Sequence, residues 1–502
     1  MTADKIEDVA KRRGFFFPSS EIYGGMSGFY DYGHLGTLMK RKFESVWKRH
    51  FLSLSDNFYE IETSDIMPES VFVASGHLQN FVDPMVKCSR CGNTERADHV
   101  LEDVLKESFE GLTAKELTGI IKKHGIKCEK CKGQLEDVGI LNMMFPVVVG
   151  TVKEAKAYLR PETAQGAYVN FSRAWEHLRR QLPLGLAIIG KAYRNEISPR
   201  NVLVRMREFT QAELQIFFDP DTIAVHEDFE AVKDCKLRLF PIGSRKANNV
   251  EETTCGELAK KLPKFYVYHL AKIQEFYLDV LKLPRDKFRF KELSEEERAF
   301  YNKYHWDIQV QMNAGWTEIG GLHYRTDHDL SGHAKVSKKD MSVNIEGRKF
   351  VPHVLEISMG VDRNVFALLE LGYRQEKERD VFELPRLLAP FDAAVFPLVN
   401  RDGMQEKAQE IKKTLEKAKF TVFYDDSGSI GRRYRRMDEV GVPLCITIDS
   451  ETLGGGTVTL RDRDSMKQVH VAVSELAEQV DMFLHGARVE DVGEVVKKSK
   501  AE

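Results

Sequence analysis

No apolar run in this sequence approaches the roughly 20 residues that a bilayer-spanning helix needs, so no membrane partner is expected. The opening stretch, MTADKIEDVAKRRGFFFPSS, carries charges of both signs and only a short Phe run, unlike a secretory signal peptide. A cytoplasmic location is therefore expected. Internal repeats and long low-complexity tracts are also missing. An excess of one charge is absent too: the net charge is −3, so the chain is no polycation, and a nucleic-acid partner would need a local basic patch. Cysteine is scarce, at seven in 502 residues, which excludes a disulfide framework.

What is present is a globular composition, 42% hydrophobic and 30% charged. The length predicts about three or four domains. In TLMKRKFESVWKRHFLSL, the positions Leu38, Phe43, Val46, Trp47 and Phe51 follow a helical period. Two CxxC pairs, Cys88/Cys91 and Cys128/Cys131, flank a charged helical middle. From about Leu159 to Asp219 the pattern is that of strands, with LGLAIIGKAYRNE and VRMREFTQAELQIFF as two β-rich runs. Asp221 to about Tyr304 is rich in Lys, Glu and helix formers and reads as inserted. Strands resume over His305–Tyr324, and VPHVLEISMGVDRNVFALLELGY reads as a strand running into a helix. Past the prolines of ELPRLLAP, the runs DAAVFPLV, TVFYDD and PLCITID alternate with a helix, as in a small α/β domain.

Five groups of residues carry chemistry. Arg194-Asn195-Glu196 and Arg205-Met206-Arg207-Glu208-Phe209 bracket a loop between two strands. A guanidinium takes two phosphate oxygens through parallel hydrogen bonds, a carboxylate accepts from an exocyclic amine, and a ring stacks on a base. An exposed hairpin of alternating charge is the other reading. In Glu356-Ile357-Ser358-Met359-Gly360-Val361-Asp362-Arg363, the glycine permits close backbone approach and the arginine opens a helix whose N-terminus favours phosphate. A plain Gly turn with a solvent-facing Arg is its alternative. Arg160-Pro161-Glu162-Thr-Ala-Gln-Gly166 also fits a Pro-initiated helix turn. The CxxC pairs, each close to a glycine, suit four thiolates on a tetrahedral structural Zn²⁺, with reduced packing cysteines as the alternative. Arg432, Arg433, Arg435 and Arg436 surround Tyr434 and could meet RNA phosphates or simply form a solvated face.

The string YRNEISPRNVLVRMREFTQAE resembles the second signature motif of class II aminoacyl-tRNA synthetases, in its glycyl-tRNA synthetase form. EISMGVDR resembles the third motif, SDIMPE (from Ser64) the first, and RPETAQG a string of the glycyl enzymes. The resemblance runs from about Arg13 to about Val480. It implies an α/β fold: an antiparallel-sheet catalytic domain flanked by helices, with insertions, and a C-terminal α/β anticodon-binding domain. The core would occupy residues 1–87, 146–220 and 305–380, with a zinc-knuckle insertion at 88–145 and a helical insertion at 221–304. A linker at 381–390, the anticodon-binding domain at 391–488 and a tail at 489–502 would follow.

The same resemblance implies Arg194 and Arg363 as catalytic groups. The ATP side would comprise Arg194, Asn195, Glu196, Val204, Arg205, Met206, Arg207, Glu208, Phe209, Glu318, Ile319, Gly360, Val361, Asp362 and Arg363. The glycine side would comprise Arg96, Glu162, Phe209, Thr210, Gln211, Ala212, Glu213, Glu356, Ile357, Ser358, Met359 and Gly360. It further implies ATP with Mg²⁺, glycine, tRNA(Gly), structural zinc and a homodimer. Prolyl or threonyl enzymes of the same subgroup are disfavoured by RPETAQG and by the E-x-S of Glu356 and Ser358. A non-catalytic nucleic-acid-binding relative would have no reason to keep Arg194, Glu196, Phe209 and Arg363 together.

Overall fold

The computed structural model describes residues 3–106, 109, 111–150, 156–199, 201–299, 301–377 and 379–496. The chain divides into two compact units, one of Pro18–Tyr30 and Trp47–Asn364, the other of Met1–Phe17, Asp31–Val46 and Val365–Glu502. The expected helix in the first segment spans His34–Leu52.

The larger unit is built on a nine-stranded sheet. In chain order its strands are β1 (Phe58–Glu60), β2 (Leu184–Tyr193), β3 (Glu208–Phe218), β4 (Lys236–Phe240), β5 (Glu251–Thr254), β6 (Phe288–Glu292), β7 (Tyr304–Met312), β8 (Gly315–Thr326) and β9 (His353–Gly360). Their spatial order is β5-β4-β6-β7-β8-β9-β3-β2-β1. The central pairs β7·β8, β8·β9, β9·β3 and β3·β2 are all antiparallel.

The two faces of this sheet follow from the period of two along each strand. In β3, EFTQAELQIFF, the alternation puts Ala212, Leu214, Ile216 and Phe218 on one face and Gln211, Glu213 and Gln215 on the other. Helix α1 (Lys264–Glu275) covers the apolar face, where Phe265 stacks on Phe218 at 4.8 Å and Tyr266 donates to Leu322 O. Helix α2 (Ala164–His177) crosses part of the polar face, burying Ala167, Tyr168, Phe171 and Trp175 against Leu184, Leu186 and Phe217.

Three expectations change here. The stretch from Leu159 to Asp219 is not strands alone, because apolar positions at helical spacing make Ala164–His177 a helix. The segment 221–304 is not a helical insertion: it supplies β4, β5 and β6, whose apolar faces join the main sheet, as well as helix α1. The stretch 1–87 does not act as one piece of the core, since Phe15 and Phe16 pack on Phe382 and Phe366 within the smaller unit.

A three-stranded sheet of Val82–Lys87, Thr94–Arg96 and Gly139–Asn142 organises the cysteine-bearing segment. Its small core includes Val86, Leu101, Leu117 and Ile121.

The smaller unit carries a six-stranded sheet. Ala393–Pro397 pairs in parallel with Val422–Tyr424 and Leu444–Ile448, and Thr457–Asp462, Gln468–Ala472 and Glu494–Val495 continue it antiparallel. The tail expected from residue 489 therefore begins later, because Glu494–Val495 completes the sheet; residues 497–502 lie outside the described ones. The expected linker at 381–390 holds part of a hairpin, Asp380–Phe382 paired with Tyr373–Gln375.

Candidate functional site

The polar face of the main sheet opens into a cleft of about 380 Å³. Strand register assembles it from distant parts of the sequence. Glu213 lies opposite Ser358, Gln215 opposite Glu356, and Glu356 opposite His323. The loop between β2 and β3 hangs Arg194, Glu196, Val204, Arg205, Met206 and Phe209 over one end. Arg363, at the start of the helix Val361–Gly372, closes that end: its Nε donates to Val204 O at 2.8 Å and its NH1 lies 3.1 Å from Glu318 Oε1. Arg194 donates to Pro161 O at 3.1 Å and sits 5.3 Å from the centre of the Phe209 ring. Thus the cationic end carries three partly exposed guanidinium groups around one aromatic ring.

The other end is anionic and buried. Glu162 follows the bend at Pro161 that leads into α2, and it lines the cleft. Arg160 itself is a buried bolt, donating to Lys191 O and Thr63 Oγ1 and paired with Asp65 at 2.8 Å. Glu213 accepts from Ser358 Oγ at 2.7 Å and Thr163 Oγ1 at 2.6 Å. Glu356 accepts from Gln215 Nε2 at 2.8 Å.

Between these carboxylates stands Arg325, only 1% exposed. It donates to Glu356 Oε2 at 2.9 Å, Glu162 Oε1 at 3.2 Å and both oxygens of Asp329 at 2.9 and 3.1 Å, and its guanidinium stacks 4.1 Å from the Tyr301 ring. Gln165 ties Glu162 to Asp329, and His77 approaches Glu162 at 3.6 Å.

Charge sets the behaviour of this end. Four carboxylates (Glu162, Glu213, Glu356 and Asp329) face one buried arginine, so the pocket is short of positive charge. Burial works to raise Glu162, but Arg325 and His77 hold it well below its ordinary value. Glu213 makes no ion pair among the described residues, with Arg160 acting on it only at longer range: burial first, then Glu356 and Glu162, push it up to about 7. Gln211 Oε1 is buried without a hydrogen-bond partner among the described residues. Such an arrangement of acceptors suits a small cation that donates several hydrogen bonds.

The cleft therefore brings together Arg194, Glu196, Val204, Arg205, Met206, Phe209, Glu318, Gly360, Asp362 and Arg363 with Glu162, Thr210, Gln211, Glu213, Glu356 and Ser358. Other expected residues do not reach it. Ala212, Ile357 and Met359 alternate onto the apolar face, and Ile319 and Val361 are buried away from the opening. Asn195 is held through its backbone N–H by Met143 O, Arg207 braces the loop on Glu196 O and Ser27 O, and Glu208 pairs with Lys191. Arg96 is occupied by Asp83 at 3.2 Å and by Asp98, which keep its guanidinium off the cleft wall. Sequence reasoning missed Arg325, Asp329, His323, Tyr301 and Thr163. The signal for Arg325 was an arginine at the end of an alternating run with an aspartate four residues on.

The four paired cysteines converge. Cys88 Sγ lies 3.5 Å from Cys131 Sγ and Cys91 Sγ 3.7 Å from Cys128 Sγ, and all four sulfurs fall within 4.8 Å of one another. At Gly133 a Cβ would come within 3.0 Å of Cys88 Sγ, so only glycine leaves the sulfurs room to meet. Tetrahedral sulfur coordination at about 2.3 Å per bond fits this spacing.

The basic run divides. Arg433 is 2% exposed and spends its guanidinium on Pro397 O, Leu398 O and Gly428 O, so it is a structural residue and not an RNA contact. Arg436 is held by Asp425 and Ser427 O, while Arg432 is exposed and Arg435 is 40% exposed.

Comparison with known proteins places this architecture. Residues 149–371 match the tRNA synthetase class II core domain (G, H, P, S and T), and residues 392–481 match an anticodon binding domain. A glycine–tRNA ligase from Pyrococcus furiosus is 40% identical over 96% of this chain and 99% of its own. One from Aeropyrum pernix is 39% identical over 98% and 99%, and one from Methanothermobacter thermautotrophicus 38% over 94% and 97%. A solved prolyl-tRNA synthetase from Cryptosporidium parvum, complexed with L-proline and AMP, gives a TM-score of 0.59 at 14% identity, covering 97% of this chain and 75% of that one. At that identity the likeness is one of fold. The class II core implies aminoacylation of tRNA with ATP. With near-complete coverage by relatives about two-fifths identical, the chain belongs to the glycine–tRNA ligase family of class II tRNA synthetases.

Proposed function

We propose that this chain activates glycine with ATP and transfers the glycyl group to the 3′ end of tRNA(Gly). The observation that carries the reading is the polarity of the cleft: three guanidinium groups around Phe209 at one end and a cation-deficient carboxylate pocket at the other. ATP's triphosphate suits the first, with Arg194 on the α-phosphate, Arg205 on the distal phosphates, and the adenine between Phe209 and Arg363 with Glu196 on its amine. Glycine's ammonium suits the second, through Glu213, Gln211 and Ser358, with Glu162 and Glu356 supplying the remaining negative field. Tyr301 lines this end of the cleft and is backed by Arg325 stacked on its ring, which leaves little room beyond the carboxylates and favours an amino acid without a side chain.

A glycine carboxylate oxygen attacks the α-phosphorus, the bond to pyrophosphate breaks, and glycyl-adenylate forms. A ribose hydroxyl of the terminal tRNA nucleotide then attacks the glycyl carbonyl, and AMP leaves. Neither step needs a covalent enzyme intermediate, so positioning and electrostatics supply the rate. Mg²⁺ arriving with ATP would neutralise phosphate charge; Glu318, with half of its side chain exposed at the cationic end, offers the hard oxygen donor such an ion takes. Zinc held by Cys88, Cys91, Cys128 and Cys131 would fasten the inserted segment, with no coordination position open for catalysis. Metal analysis returning no zinc on the purified protein would set that part aside.

Arg432 and Arg435 are proposed to meet tRNA phosphates. A homodimer is proposed as well, supported by the first-motif resemblance of Ser64–Glu69, where Ile66 stays 44% exposed on an edge strand. Cytoplasmic location fits a chain in which no helix among the described residues is long and apolar enough to cross a membrane.

The deciding experiment is exchange of labelled pyrophosphate into ATP. Glycine should support it, Arg194→Ala should cut it by roughly 10²–10³-fold, and equal exchange with alanine, serine or proline would overturn the pocket assignment.

A further inference from the structure

Two imidazoles at the anionic end of the cleft have no part in the steps just described. His305 on β7 and His323 on β8 are register partners, with ring centroids 4.1 Å apart and planes crossing at 81°. They meet over Gly321, where a Cβ would lie 2.5 Å from His323 Nε2 and 3.3 Å from His305 Nε2. A side chain at that position would crowd both imidazoles, so glycine leaves room for the crossed rings. His305 is in turn held by Asp307, with Nε2 3.1 Å from Oδ1.

His323 reaches across to β9 and hydrogen-bonds Glu356 Oε1 through Nδ1. The other Glu356 oxygen is held by Arg325 NH1 at 2.9 Å and Gln215 Nε2 at 2.8 Å. A carboxylate fixed through one oxygen still swings about its last torsion, and a donor on the second oxygen stops that swing. Burial, His305 and Arg325 hold His323 well below the usual imidazole range, so the ring is neutral and has one N–H to give. With Glu356 ionised against Arg325, its oxygen can only accept, which assigns that proton to Nδ1.

We propose that His323, with its ring plane set by His305 and Gly321, is a positioning residue for amino-acid activation that locks Glu356 toward the ammonium-bearing end of the substrate. The inference rests on the glycine reading of the cleft. It acts through Glu356 and predicts an effect on the amino acid but not on ATP.

The test is pyrophosphate exchange with glycine and ATP varied separately, on full-length wild type, His323→Leu and His323→Asn. Leucine fills much of the ring's space without a donor; asparagine places an amide N–H near the position of Nδ1. Loss of a hydrogen bond to a charged partner predicts a roughly ten- to hundredfold rise in glycine KM for His323→Leu, with ATP KM within about twofold of wild type. His323→Asn should return glycine KM to within roughly threefold of wild type. An unchanged glycine KM in His323→Leu, or a parallel rise in both KM values, overturns the proposal. Should His323→Leu fail to fold, His323→Asn decides: a near-wild-type glycine KM supports the role and a tenfold rise refutes it. A wild type that exchanges with no amino acid, or with alanine as well as glycine, sinks the glycine reading and this inference with it. A glycine-specific wild type with an indifferent His323→Leu sinks the His323 role alone.

Discussion

The two ends of the cleft use arginine in opposite ways. At the cationic end, Arg194 and Arg363 are partly exposed and lean on main-chain oxygens, keeping much of each guanidinium toward the opening. At the anionic end, Arg325 is sealed and every side-chain nitrogen donates to a carboxylate. Water can supply what an exposed guanidinium lacks, so such a group waits for phosphate at little cost. A buried one must be matched on the spot, and it in turn decides which carboxylates are spoken for. Arg325 takes up Glu162, Glu356 and Asp329, and leaves Glu213 as the acid of this group without an ion pair among the described residues.

Removing Arg325 should give the largest effect. Arg325→Met would leave three buried carboxylates without their counter-ion, and breaking such a pairing costs about 3–5 kcal/mol. A large drop in the urea midpoint is expected, together with loss of exchange. Arg194→Ala, by contrast, should cut exchange by roughly 10²–10³-fold, as for loss of one preorganised transition-state donor, with the urea midpoint unmoved. If Arg325→Met proved as stable as wild type, the division between a structural and a waiting arginine would collapse.

The same difference explains what could be read from the sequence. Arg194, Glu196, Phe209 and Arg363 sit in short contiguous strings, so their spacing carried the cationic end before any coordinates. Glu213, Glu356 and Ser358 were legible individually, but their meeting depends on strand register across β3 and β9, which a single sequence does not specify. Arg325 was invisible because an arginine ending an alternating run looks solvent-exposed; only the fold of α2 and the Tyr301 segment over it makes it buried. Ala212, Ile357 and Met359 were over-read for the complementary reason: a motif names consecutive residues, whereas a strand sends alternate ones to opposite faces. The segment 221–304 misled through composition, since strands β4–β6 are short and charged residues such as Arg289 and Lys291 sit on them beside the apolar ones.

Glu213 offers a finer test of the amino-acid end. Its pKa is pushed up to about 7 by burial and by its acidic neighbours, so below that pH the free protein holds it neutral. An ammonium binds the ionised form, so glycine KM should fall roughly tenfold per pH unit as pH rises toward 7, then level off. The ligand-free fold should show the reverse trend. The folded-state pKa lies above the ordinary carboxylate value, so stability is lost as pH rises through about 7, and glycine should restore it. Glu213→Gln should flatten the KM profile, and an inflection surviving in that variant would assign the titration to another group.

The smallest effect tests whether the contrast between sealed and waiting arginines extends to the second unit. Arg433 and Arg432 are neighbours on one helix, Ile430–Val440, yet Arg433 ties down four main-chain carbonyls while Arg432 faces solvent. Arg433→Ala leaves carbonyls such as Leu398 O and Gly428 O short of a donor, and should lower the stability of that unit by about 1–3 kcal/mol. Arg432→Ala should leave melting unchanged and weaken tRNA binding a few-fold, with the slope of log affinity against log salt reduced by about one, as for loss of a single phosphate contact. Because the two residues are adjacent, a general loss of local charge would move both salt slopes alike. Only a contact made by the exposed arginine separates them, so equal slopes for the two variants would remove Arg432 from the tRNA surface.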